Sequence, residues 1–397
     1  MITGDASYIK KINRSLIIRE IVKEGMISRA DLSKLTALTR ATISVQVSDL
    51  LEEELVVEKQ LEHNSVGRRP IMLSINAKAG YTLGIDLDAG HISFLVTDLL
   101  GNSLSSATIH VESNSYNEIL SLLTQQIAEY ITKYSDNRYG IVGIVIAVHG
   151  LVSSNEEIHY IPRLGWSSVS LKTDLEKAVG VQIHIENNAN LSSFAESVFW
   201  HQETDSLLSL TLYSGIGLGM IINNKFYRGH DGFAGEIGHM IVAPDGRPCE
   251  CGNKGCWEKY ASEASVLSTL AKQKKLPHVT YEQVRNWINS EDEEVLGTME
   301  QFINYLSIGI NNIINIFNPE TILVDSELLR IYPDSIDKIK QKLTSKTSHY
   351  KNLLISSIGE KSTILGACAL AIQYFLDVPV LNLSHNFEKS STELTKK

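Results

Sequence analysis

Two stretches of this chain repeat one plan, and that repetition constrains the fold more than any other feature. "YTLGIDLDAGHISFLVTDLLGNSLSSATIHV" (81–111) reads as strand, glycine turn, strand, turn at Gly101-Asn102, strand. "LLSLTLYSGIGLGMIINNKFYRG" (207–229) does the same, with its second turn at Asn223-Asn224. Each passes into alternating helical and strand patterns. Two similar α/β halves with a cleft between them follow, and ligands of such sheets gather at the strands' C-terminal ends. At 397 residues the chain is long enough for this body and a further domain.

The first eighty residues read as that further domain. They hold twelve basic and ten acidic residues, +2, against −10 for the whole chain, so the remainder stands at −12. Only this head has a charge suited to approaching DNA. Ile17, Ile18, Ile21 and Val22 recur at helical spacing, and Gly25 stops the first helix. Ser28 can cap a second, with Leu32 and Leu35 inward. Thr39 can cap a third, in which Ile43, Val47, Leu50 and Leu51 share a face. The tight "TALT" connection makes the last two a helix-turn-helix. The expected exposed face of the third helix carries Arg40, Thr42, Ser44 and Gln46, small or base-reading side chains placed to enter a major groove. "LVVEKQ" and "RPIMLSI" look like the strands of a wing whose tip, "NSVGRRP", offers Arg68 and Arg69 to phosphates or a minor groove. A small protein-binding domain would also show three helices, but it needs neither the wing nor the paired arginines.

No run of eighteen apolar residues exists, and the start, "MITGDASYIKKINRS", has no apolar h-region. Neither a membrane partner nor export is expected. Three of the four cysteines crowd together as Cys249, Cys251 and Cys256, downstream of His239. One imidazole and three thiolates make a closed tetrahedral set for a structural zinc, whereas disulfides would need a different spacing. With no export signal and a thiol-rich site, the expected location is the cytoplasm.

The same segment carries a family likeness. Gly235 to His239 ("GEIGH") and Cys249 to Glu258 ("CECGNKGCWE") resemble the signature of the ROK family of repressors, open reading frames and kinases. "ISRADLSKLTALTRATIS" and "VGRRP" resemble the head of its repressor branch, of the xylose-repressor type. The resemblance implies a winged helix-turn-helix over 1–76 and a duplicated RNase-H/actin-like two-lobed sugar-kinase-type fold over 77–383; the tail beyond, 384–397, is polar in composition and expected to be disordered. It also implies zinc at the Cys/His cluster and a sugar held by Asn187, Asn188, Glu236, His239 and Glu258, with His239 serving metal and ligand alike. A homodimer would present two heads to a palindromic double-stranded operator.

Kinase chemistry is not expected. The family's first phosphate loop resembles Asp-X-Gly-Gly-Thr-Lys; here Asp86-Leu87-Asp88-Ala89-Gly90-His91 lacks the threonine and lysine, and Asp88 would repel phosphate. The paired glycines expected after the adenosine strand are Asp325-Ser326, side chains expected to crowd a nucleotide. In "VQIHIENNANLSSFAE" (181–196), Asn188 stands where family kinases have the aspartate base. An amide hydrogen-bonds a hydroxyl but takes no proton from it. The expected function is a transcriptional repressor released by a sugar or oligosaccharide. A residual sugar kinase is the rival reading, and a constitutive DNA-binding protein with a vestigial body is another. The role of His149 and the stacking or core role of Trp166 stay open.

Overall fold

The structure, a computed structural model, describes residues 6–60 and 71–384. Arg68, Arg69 and all but the first residue of the polar tail lie outside the described residues.

The head begins with α1 (Ala6–Glu24), closed by Gly25 at a φ of 67°. A two-residue strand, β1 (Ile27–Ser28), leads into α2 (Arg29–Thr36). Ser28 caps α2 by accepting from the Asp31 N–H, and Thr39 caps α3 (Arg40–Glu52) by accepting from the Thr42 N–H. β2 (Val56–Gln60) and β3 (Ile71–Ile75) pair antiparallel as the expected wing strands, and β1 adds to β3. Ile17, Ile18, Ile21, Leu32, Ile43, Val47 and Leu50 form the buried interior. Leu35 does not join them: α2 buries Leu32 and Thr36, four apart, and Leu35 lies about 100° off that line, largely exposed.

The first lobe opens with an antiparallel meander of β4 (Tyr81–Asp88), β5 (His91–Asp98) and β6 (Ser103–His110). α4 (Tyr116–Lys133) crosses over, and β7 (Ile141–Val148) lies parallel to β4. A small antiparallel sheet of β8 (Leu151–Val152), β9 (Ile158–Ile161) and β10 (Trp166–Val169) follows. After α5 (Leu171–Val179), β11 (Ile183–Asn187) adds parallel to β7 and runs into α6 (Asn188–Phe199). "IVGIVIAV" is apolar throughout because β7 is central and packed on both faces. Trp166 belongs to the core here, its indole N–H donating to the Asn114 carbonyl.

The second lobe repeats this order. β12 (Ser206–Thr211), β13 (Gly217–Ile222) and β14 (Lys225–Phe226) form the meander, with Asn223 and Asn224 both left-handed in the tight turn. Helices α7 (Glu258–Ala261), α8 (Glu263–Lys274), α9 (Tyr281–Asn289) and α10 (Glu293–Phe317) intervene before β15 (Thr321–Asp325), which lies parallel to β12. α11 (Glu327–Ile331) and α12 (Ser335–Lys342) lead to β16 (Asn352–Ile355), parallel to β15, and α13 (Ser362–Leu376) is the last helix among the described residues. Both sheets have the spatial order third, second, first, fourth, fifth, so the duplication legible in the sequence is a duplication of topology. The chain divides into two compact units: the head and first lobe with residues 198–202 and 364–397, and the second lobe, residues 192–197 and 203–363. Among the described residues no helix is long and apolar enough to cross a membrane.

Candidate functional sites

On α3 the residues that project from the head are Arg40, Ala41, Ser44, Val45 and Ser48, all exposed. Gln46 is a correction: it is buried, because it sits three residues after Ile43 and four before Leu50, on the packed face. Thr42 is half-buried, and its hydroxyl shares a hydrogen bond with that of Thr39, 2.9 Å away, so it reinforces the cap. Ala41 and Val45 escaped a reading that looked for polar side chains. Their helical phase with Ser44 and Ser48 was the available signal.

In the second lobe the chain doubles back on itself between His239 and Cys256, with bridges Ile241 to Cys256 and Pro248 to Lys254. The turns demand their glycines. Gly255 has a φ of 82°, and a Cβ there would fall 1.8 Å from the Ala243 carbonyl oxygen. This brings together the four side chains grouped from the sequence. The ligand atoms of His239, Cys249, Cys251 and Cys256 all lie within 4.8 Å of one another. His239 Nδ1 is 3.6 Å from Cys249 Sγ, and Cys251 Sγ is 3.6 Å from Cys256 Sγ. The sulfur pair is close to the roughly 3.8 Å edge of a tetrahedron built on Zn–S bonds of about 2.3 Å. Burial pushes the Cys249 and Cys256 thiols up, whereas a backbone hydrogen bond from Asn253 pulls Cys251 down. A cation is what would hold all three as thiolates. The donor set fits a metal ion.

Glu258 adjoins this cluster, its carboxylate 3.1 Å from Cys249 Sγ. Glu236 lies on the other side of the imidazole, with Oε2 3.9 Å from His239 Nε2. His239 thus turns Nδ1 to the sulfurs and Nε2 toward Glu236. Burial is the leading cause raising the Glu236 carboxyl, joined by the Glu258 charge and opposed by His239.

In the first lobe, Asn187 ends β11 and Asn188 starts α6. Asn187 has structural duties: its amide donates to the Gly150 carbonyl at 2.9 Å, and its oxygen accepts from the N–H groups of Ala189 and Asn190. Asn188 is half-buried with no side-chain partner among the described residues, which leaves its amide for a ligand. Sequence reasoning left His149 open; its Nε2 is 2.9 Å from Asp86 Oδ1, at the C-terminal ends of β7 and β4.

The former nucleotide positions are occupied differently than expected. Asp88 accepts two contacts from Arg163 Nη1, at 2.9 and 2.7 Å, so its charge is neutralised and bare repulsion is not what it contributes. Asp325 and Ser326 do not crowd an open space. Asp325 is fully buried, bonded by the Tyr213 hydroxyl at 2.9 Å and Arg330 at 2.7 Å, and Ser326 caps α11 and donates to Glu263. In each case the loop's polar groups are spent on one another.

A model of the ROK family matches residues 82–374. The chain belongs to the ROK family. Its similarity also extends beyond that match into the head. The xylose repressor of Bacillus spizizenii is 38% identical over 380 residues, covering 94% of this chain and 98% of that one. A solved ROK family transcriptional regulator, described as a homologue of the Escherichia coli MLC protein, superposes with a TM-score of 0.80 at 25% identity, over 93% of this chain and 97% of that one. A ROK family glucokinase from Streptomyces griseus, solved with glucose and AMPPNP, superposes at 0.64 with 24% identity, over 74% of this chain and all of that one. The kinase shares the fold of the body. The match to the repressor runs through head and body alike.

Proposed function

We propose that this ROK protein is a sugar-responsive transcriptional repressor, with D-xylose as the first effector to test. The observation that carries the reading is the match to a xylose repressor over head and body together. The capped α3, with Arg40 and Ser44 exposed beside Ala41 and Val45, gives operator DNA a face to meet. Arg68 and Arg69 would hold phosphates or a minor groove. The sugar would lie against Asn188, Glu236, His239 and Glu258, with Asn187 fixing the strand end that carries Asn188. Zinc on His239, Cys249, Cys251 and Cys256 would be structural, orienting the imidazole that faces the ligand. The chain acts in the cytoplasm, as a homodimer on a palindromic operator. It does not phosphorylate, because Asn188 supplies no base.

Sugar switches such a protein only by favouring the conformation that releases DNA. Moving a population from 1:99 to 99:1 requires about 5.5 kcal/mol of differential binding. The test is anisotropy of the purified protein on labelled duplex from its own upstream region, titrated with D-xylose and then other pentoses, hexoses and disaccharides. Release by one sugar, lost in Glu258→Ala, is expected. Tight operator binding that none of these sugars changes would sink the sensor reading.

A further inference from the structure

The head is not tethered loosely to the first lobe. Asn76 donates its amide to the Glu54 carbonyl, Asn137 donates to the Lys78 carbonyl, and the Tyr139 N–H donates to the Ala79 carbonyl. These bonds strap residues 76–80, the only covalent link between wing and lobe, to both sides. The neighbouring side chains reach further. Arg138 donates to the Glu52 carbonyl at 3.1 Å and to the Glu54 carboxylate at 3.2 Å, and the Tyr139 hydroxyl donates to the Glu53 carbonyl at 2.9 Å. Glu52 and Glu53 are the last turn and cap of α3, where helix carbonyls lack intrahelical donors and partial negative charge collects. The first lobe therefore supplies a cation and a phenol to the C-terminal end of the helix whose other face projects Arg40 and Ser44.

Only Gly140 separates these two residues from β7. Their strand runs eight residues through the centre of the sheet, about 26 Å, bonded to β4 on one side and β11 on the other. It ends at Val148; His149 and Gly150 follow, and the Gly150 carbonyl takes the hydrogen bond from Asn187. A Cβ on Gly150 would fall 2.2 Å from the Tyr160 carbonyl oxygen, so this end is packed without slack. The other end is not. Tyr139, Phe375, Asp377, Arg14 and Lys11 border a cavity of about 160 Å³ between α1 and the end of α13. Across it, Lys11 pairs with the Asp377 carboxylate and Ser15 donates to the Asp377 carbonyl, while Phe375 meets the Tyr139 ring edge-on. Tightly packed interiors resist displacement, whereas a joint bordered by a solvent-open cleft lined by charged side chains is free to take a second arrangement.

We propose that Arg138 and Tyr139 are positioning residues that set the orientation of α3, and that β7 links their grip to the polar edge at Asn187 and Asn188. The proposal rests on the sugar response argued above. The test uses the full chain carrying Arg138→Met and Tyr139→Phe together, which removes both donors and keeps the apolar stem and the ring. D-xylose affinity is measured by calorimetry, and operator affinity by anisotropy with and without D-xylose. The expected result is unchanged D-xylose affinity with the ratio of the two operator affinities reduced at least about fivefold, a factor within the usual range of such couplings. Arg138→Lys with Tyr139 intact keeps most of the ratio. A double variant with parental sugar affinity and parental ratio overturns the proposal. If the parent itself ignores D-xylose, that effector fails and the joint is judged on operator affinity alone. A loss of about fivefold or more in the double variant then supports the grip, and no loss overturns it. Should the double variant fail to fold, Tyr139→Phe alone is put through the same comparison.

Discussion

Gly309, in the middle of α10, separates packing from helix propensity beside the Cys/His cluster. A Cβ there would fall 2.0, 2.1 and 2.5 Å from three atoms of the Trp257 indole, against ordinary carbon contacts of about 3.5–4.0 Å. In Gly309→Ala the ring must retreat by about 1.5 Å. Trp257 has nowhere to go: it is fully buried, and its indole N–H donates to the Tyr305 carbonyl at 2.7 Å. Overpacking costs about 1–3 kcal/mol, and stranding a buried donor costs about 1–3 kcal/mol more. Alanine returns about 1 kcal/mol of helix propensity. The net loss is about 1–5 kcal/mol, read from urea unfolding of the second lobe's transition. Because Trp257 lies between Cys256 and Glu258, bound metal and sugar affinity should fall with it. Gly297, on the same helix, is the control: a Cβ there meets nothing within 4 Å, so Gly297→Ala should stabilise by about 0.5–1 kcal/mol. If Gly309→Ala behaves like Gly297→Ala, with metal and sugar affinity intact, the packing argument fails.

Three further outcomes are expected. Gln46→Leu should leave base preference on an operator-variant panel unchanged, since Gln46 is buried, whereas Ser44→Ala or Val45→Ala should shift it; a changed preference in Gln46→Leu would return Gln46 to the DNA face. Burial works against a charge on His149, but Asp86 beside it and Asp88 beyond outweigh that and the opposing Arg163, raising its pKa. A raised value means stability fully present below the unfolded histidine pKa, about 6.5, and lost as pH rises through the folded one. The urea midpoint should therefore fall above pH 6.5, and His149→Gln should flatten that slope. Asn188→Asp restores a carboxylate at the kinase base position, yet sugar-dependent ADP release should stay at background, because Arg163 still fills the phosphate loop with Asp88 and Tyr213 still holds Asp325. Turnover in that variant would show that the base alone was missing.

Local features were legible in the sequence because their causes are local. Ser28 and Thr39 cap the helices they precede, and the asparagine pair at 223–224 makes its turn. The Cys/His cluster was legible because most of its ligands lie within one doubled-back segment, whose glycines declare the turns. Helix faces were read less well. The chemistry of Gln46 and the hydrophobicity of Leu35 mislead, because helical phase decides which residues the thirteen-residue α3 and the eight-residue α2 bury. The pairings that redefine the kinase loops could not be read at all. Arg163 reaches back 75 positions to Asp88, and Tyr213 reaches 112 forward to Asp325. Nothing in the spacing of such residues indicates contact until the sheets are assembled.

Those pairings also change what the departures from the family's kinase loops do in the folded chain. Read one at a time, the substitutions looked like obstacles, with Asp88 repelling phosphate and Asp325 filling space. In the folded lobes each carboxylate is instead engaged by a neighbour, Asp88 by Arg163 and Asp325 by Tyr213 and Arg330, and such contacts hold the loop that carries them. A phosphate cradle must offer unpaired N–H groups and a free cation. Here Arg163 is already committed to Asp88 of the first loop, and Tyr213 to Asp325. Asn188 keeps a free amide in the same lobe, and Glu236 and His239 keep polar groups exposed in the other. Groups that would handle phosphate are locked, whereas groups that would hold hydroxyls are open. That division matches what the proposed repressor needs: contacts for a sugar's hydroxyls without a nucleotide beside them.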